Sequence, residues 1–122
     1  MNAKLLFVLL ISTLLLSACG KDIGKEIEAD LLTITTDPMS QLSSNPGTYI
    51  SSQQKSYDDI VSRGDAALVY LTQTLKASKK NGLKEWIMAY ACTDILGEKN
   101  PVKAWGNGKE WLASYEMLSK EK

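Results

Sequence analysis

Leu83-Lys84-Glu85-Trp86-Ile87-Met88-Ala89-Tyr90-Ala91-Cys92-Thr93-Asp94-Ile95-Leu96 is the stretch that decides the fold. Its middle, Trp86 to Cys92, is apolar with no polar face at helical spacing. A helix apolar all round is one that is buried. Asn81-Gly82 precedes the stretch, Gly97 closes it, and Asn100-Pro101 makes the next turn, so its ends are marked on both sides. The spacing predicts a central buried helix over 83–96.

Upstream, Leu68, Leu71 and Leu75 form the stripe of a second helix, with Ala67 and Thr72 alongside. Asp65 reads as its cap, Lys76, Lys79 and Lys80 gather at its carboxyl end, and Asn81-Gly82 reads as its stop. Ser56-Tyr57-Asp58-Asp59 reads as a helix start with two carboxylates in the first turn, ended by Gly64. Asp37-Pro38 reads as a cap with proline at the first position of a short helix. Ser43-Ser44-Asn45-Pro46-Gly47 reads as a turn cluster that stops it.

Further back, Ile23, Ile27, Leu31 and Ile34 recur at spacings of four, four and three, with charges on the other faces. This predicts an amphipathic helix over about 25–33, weakened by Gly24 and by Thr33-Ile34-Thr35-Thr36. The competing expectation is a tether that lifts the domain off a membrane. Downstream, Asn107 with Glu110 three residues later resembles a capping box, and Trp111, Leu112, Tyr115 and Leu118 give one apolar face of a closing helix. No alternating strand pattern of useful length appears. The class expected is all-α, a compact bundle of about four to six short helices around 83–96.

The chain opens with Lys4, then an uncharged, mainly apolar run from Leu5 to Leu16 that holds Ser12 and Thr13, then Ser17-Ala18-Cys19. That order is a charged region, an apolar region and small residues at a cleavage point. The apolar run is too short to span a bilayer, which takes about 20 residues. Leu16-Ser17-Ala18-Cys19 resembles the lipobox of bacterial lipoprotein signal sequences. The resemblance implies a diacylglycerol thioether on Cys19 and removal of residues 1–18. It implies a lipid anchor on the extracytoplasmic face of the cell membrane. The chain then divides into 1–18, a lipidated segment with tether or helix over 19–36, and a helical domain over 37–122.

Composition excludes several classes. Acidic and basic side chains balance at 14 each, so no basic excess exists to neutralise nucleic-acid phosphates. Arg63 is the only arginine, so no bidentate anion-binding cluster can form. Histidine is absent, which removes Ser-His-Asp and Cys-His catalysis and every histidine-ligated metal site. With Cys19 assigned to lipid, Cys92 alone remains, so neither a disulfide framework nor a thiolate zinc site is available. No cofactor or metal is expected.

Few groups are left for chemistry. Asp58 and Asp59 are adjacent and point to different sides of a helix, whereas a working acid–base pair must converge. Asp94 lies late on the buried helix and needs a partner there. Cys92 has apolar neighbours, which favours packing over reactivity. Ser119-Lys120 sits in the tail, and no Gly-x-Ser-x-Gly motif is present. Trp105, Asn107, Trp111 and Tyr115 could make a stacking surface for a sugar or peptide, with Gly106 and Gly108 exposing Trp105. Aromatics at helical spacing are otherwise core.

Within the domain, Gly64-Asp65-Ala66-Ala67-Leu68 with Leu71 and Leu75, followed by Leu83 to Gly97 with Ala89 and Ala91, resembles a HEAT-type helix pair. It implies an antiparallel pair without a solenoid, since no second copy is visible. Asn45-Pro46 with Tyr49, Gly64, Trp86 to Ala89, and Trp105 with Gly108-Lys109-Glu110-Trp111 is similar to small extracytoplasmic domains of Gram-positive lipoproteins. That similarity implies no reaction. The function expected is a lipid-anchored, non-enzymatic interaction or sensing domain with a membrane- or wall-associated protein partner. The alternative is a small-molecule or glycan-binding lipoprotein using the Trp105/Trp111 region.

Overall fold

The computed structural model describes residues 23–121, so the signal-like stretch and Cys19 lie outside the described residues. Every regular element among the described residues is helical. α1 covers 23–35, α2 Pro46–Ser52, α3 Gln54–Ser62, α4 Asp65–Ala77, α5 Leu83–Leu96 and α6 Gly108–Lys120, with single 3-10 turns at Pro38–Ser40 and Gly97–Lys99. The all-α class and the bundle of short helices follow the sequence expectation.

α5 has the bounds its end signals dictate, and α2, α3, α4 and α6 all pack on it. Ile87, Met88, Ala89, Ala91 and Cys92 are fully buried. Glu85 is buried too, and its Oε1 accepts from the Gly82 N–H at 3.0 Å. The carboxylate thereby serves an open donor at its own helix start. α4 packs most extensively on α5 across the connection 78–82, as a short link between helices requires. Ala67, Leu71 and Leu75 are its buried face. Gly64 and Gly97 follow α3 and α5 at positive φ, 61° and 55°, the left-handed stops that glycine adopts without strain.

α1 belongs to the same core. Ile27, Leu31 and Ile34 are fully buried, and Ile23 packs beside them half-buried. The threonines expected to weaken its end bond back along the helix instead: Thr33 Oγ1 donates to Ala29 O at 3.0 Å and Thr36 Oγ1 to Leu32 O at 2.6 Å. Polar ties reinforce the packing. Glu28 Oε1 accepts from Tyr70 Oη at 2.7 Å, and Oε2 accepts from Lys84 Nζ at 2.7 Å. Glu26 pairs with Arg63 at 2.5 Å. One acidic face of α1 is thus bound to α4, α5 and the α3–α4 corner.

Four local readings need correction. Asn45-Pro46-Gly47 begins α2: Asn45 Oδ1 accepts from the Gly47 N–H at 2.9 Å and Pro46 takes the first helical position. α3 begins at Gln54, so Asp58 and Asp59 sit a turn in and accept from Gln54 and Lys55 at 2.8 and 2.9 Å. Asp65 is the first residue of α4, and Gly64 occupies the cap. α4 stops at Ala77, where Ser78 turns extended, ahead of Asn81-Gly82.

Candidate functional site

The four residues expected to form a binding surface occupy different environments. Trp111 is fully buried and stacks on Tyr115, with ring centroids 4.9 Å apart and planes at 9°. Its indole Nε1 is buried without a hydrogen-bond partner. Asn107 is engaged in capping: Oδ1 accepts from the Glu110 N–H at 2.9 Å. The return bond of the box falls one residue earlier, with Glu110 Oε2 accepting from the Gly106 N–H at 2.7 Å. Trp105 is half-buried and meets Tyr90 and Trp86 edge-to-face, with centroids 5.0 and 6.3 Å apart. Trp105 therefore groups with α5 aromatics, and Trp111 with Tyr115 on α6. Only Tyr90, on α5, among these rings is counted exposed.

The Gly108-Lys109 step joins α6 to the rest. A Cβ on Gly108 would lie 2.3 Å from Glu85 O and 2.6 Å from Glu85 C, so the two backbones touch there. Lys109 Nζ donates to Leu75 O at 2.5 Å and also to Ser78 O, the open carbonyls at the end of α4. Its N–H donates to Asn81 Oδ1 at 3.1 Å. The stretch from Gly106 to Trp111 is accounted for by contacts within the fold.

The candidate reactive groups are placed as follows. Cys92 is fully buried, and burial pushes its thiol up to about 12. Asp94 accepts from Tyr57 Oη at 2.5 Å. Asp37 is buried beside the 3-10 turn, with Ser40 Oγ on Oδ2 at 2.6 Å and Gln53 Nε2 on Oδ1 at 2.9 Å. Those two bonds hold its carboxyl below the ordinary value. At Glu28, burial raises the carboxyl, and the bonds from Lys84 and Tyr70 outweigh it and leave it lowered. No cluster of three or more carboxylate or cysteine groups suited to a metal is present among the described residues.

Three depressions stand out among the described residues. One of about 320 Å³ lies at the Glu28–Lys84 pair beside Leu32 and Thr35. An open one of about 510 Å³ runs along α2, lined by Asn45, Gly47, Thr48, Ser51 and Ser52. The third, about 370 Å³, lies where the start of α1 meets α4. Tryptophan lines none of the three. The most exposed apolar side chains are Leu42 and Met39, with relative exposures of 101% and 87%. Sequence periodicity could not single them out, because they lie on the loop between α1 and α2. Ser40 Oγ lies 3.2 Å from Ser52 Oγ, and Ser43 Oγ donates to Thr48 Oγ1 at 3.3 Å. That loop therefore lies along α2.

No protein-family model matches the chain, and neither the curated proteins nor the solved structures yield a match. No helix among the described residues is long and apolar enough to cross a membrane.

Proposed function

We propose that the chain is a lipid-anchored extracytoplasmic lipoprotein whose helical domain is a non-enzymatic interaction module. The anchor reading rests on Leu16-Ser17-Ala18-Cys19 at the end of the apolar run. Two acyl chains on Cys19 give stable attachment where one is marginal, so the domain needs no strong membrane affinity of its own. It would be held at the outer face of the cell membrane, within reach of membrane- and wall-associated proteins.

The observation that carries the module reading is the contrast between reactive groups and exposed ones. Cys92 is sealed, Asp94 holds Tyr57, Asp58 and Asp59 hold Gln54 and Lys55, and Asn107 caps α6. What is presented instead is Met39 and Leu42 on a surface whose sequence, from Pro38 to Gln54, contains no charged residue. Apolar side chains on an uncharged surface suit a protein partner, whose contact cores are depleted of charge.

Photo-cross-linking tests this reading. Lipid-free protein from Gly20 onward is exposed to membrane and wall fractions, beside a Met39→Ser/Leu42→Ser variant. A defined cross-linked band that the variant loses supports the module. An identical pattern from both proteins defeats it. For the anchor, Cys19→Ala should abolish fatty-acid labelling; continued labelling defeats the lipoprotein reading.

A further inference from the structure

We propose that the depression lined by Ile23, Gly24, Ala66, Val69, Tyr70 and Gln73 rests against the lipid headgroup layer that holds the anchor. The inference rests on the lipoprotein reading above and adds an orientation and a contact face to it.

The first argument is reach. Three residues separate Cys19 from Ile23. A chain spans at most ~3.6 Å per residue, so the Ile23 Cα stands no more than about 14 Å from the Cα of the lipidated Cys19. The headgroup region of one leaflet is itself roughly 5–8 Å deep. α1 supplies no further slack, because Ile27, Leu31 and Ile34 lock it into the core and Glu26 and Glu28 tie it to Arg63, Tyr70 and Lys84. The end of the domain that carries Ile23 is thereby confined to the membrane surface.

The second argument is the chemistry of that end. α4 turns an exposed stripe of Ala66, Val69, Gln73 and Ala77 outward, none of them charged. Val69 keeps 55% of its surface exposed. The depression beside it, about 370 Å³, has no ionisable group in its lining except the Tyr70 hydroxyl, which is already given to Glu28. Gly24 brings α1 close to the Tyr70 ring: a Cβ there would lie 2.9 Å from Tyr70 Cε2. The lining of the depression, uncharged, enters an interface without stripping water from ions. Asp65 and Lys76, beside Ala66 and Ala77 on α4, and Lys25 on α1 are exposed charges that border the stripe.

The third argument is what the same placement leaves free. Met39 and Leu42 follow the opposite end of α1, which at 1.5 Å per residue is about 18 Å long. An α1 start held at the bilayer therefore leaves that loop available to a partner.

Lipidated protein reconstituted in vesicles of phosphatidylethanolamine and phosphatidylglycerol tests the contact. Val69→Cys or Gln73→Cys is labelled with a small fluorophore, as is Met39→Cys for comparison; buried Cys92 contributes no background in the native state. Nitroxide-headgroup lipid should quench the Val69 and Gln73 probes several-fold more than the Met39 probe. Equal quenching at all three overturns the inference while leaving the anchor intact, because intact mass and flotation report lipidation separately. Protein without lipid mass that fails to float overturns both.

Discussion

The Tyr57 hydroxyl donates to Asp94 Oδ2 across 2.5 Å, joining α3 to the last turn of α5. Tyr57 is buried, so this one bond carries its polar atom through the boundary of the core. Tyr57→Phe should destabilise by about 1.5–3 kcal/mol, the range for a hydrogen bond to a charged group. Asp94→Asn keeps an acceptor and should cost less. Urea midpoints for the two variants check the order.

Alkaline conditions should expose the same relationship. Burial first, and the bond to Asp94 second, push the Tyr57 hydroxyl above its ordinary value of 10.0. Cys92 is raised by burial in the same sense. The folded chain then holds these protons more tightly than the unfolded one. Their contribution is complete below the unfolded values and is lost as pH rises through the folded ones. Stability should fall from about pH 9 upward, and Tyr57→Phe should flatten that fall. Urea melts at about pH 8 and about pH 11 measure both slopes.

Gly108→Ala should be costly, because its Cβ would press on the Glu85 backbone, which cannot turn aside. Overpacking of this kind costs about 1–3 kcal/mol. Gly106→Ala should be milder, since a Cβ there meets only Glu110 Oε2, at 3.0 Å, at the tip of a flexible side chain. Thermal melts of the two variants should separate clearly.

Truncation should show that α1 is structural. Removing residues 20–22 should change stability by no more than about 0.5 kcal/mol, as for surface changes away from packing. Removing residues 20–32 deletes Ile27 and Leu31, both fully buried, and both carboxylate ties. That variant should fail to give a cooperative melt. Matching melts from both truncations would return α1 to the role of a linker.

Ile87→Ala should lose about 2–5 kcal/mol through transfer energy and residual cavity. Ile87 is fully buried on the helix that the other elements pack against. Cys92 should resist a thiol reagent until denaturant opens the core, and in Ile87→Ala its labelling should quicken as opening becomes easier.

The core was legible because its signals are local and periodic. α5 has the bounds that Asn81-Gly82 and Gly97 set, and the Ile23/Ile27/Leu31/Ile34 spacing marks the buried face of α1. α2 was hidden because Asn-Pro-Gly serves equally as a turn and as a helix start, and only the following packing of Tyr49 chooses between them. The division of the aromatic residues was hidden for a related reason. Trp105 and Trp111 are close in sequence, but the backbone contact at Gly108 sends one ring to α5 and the other into the core. The bonds from Lys109 to the end of α4 are non-local, and no spacing rule reveals them.

The seat of Lys109 also sets an order of events. The α4–α5 hairpin can assemble from contacts near in sequence, which form early because little loop entropy is lost. α6 has no complete seat until the Glu85 backbone and the carbonyl end of α4 are both in place. Its docking should therefore be the late step of folding and the first to reverse. A lesion at Gly108 or Lys109 should leave the refolding rate nearly untouched and appear almost wholly as faster unfolding. The lifetime of the folded domain is then governed by its last helix, while its birth is governed by the two before it.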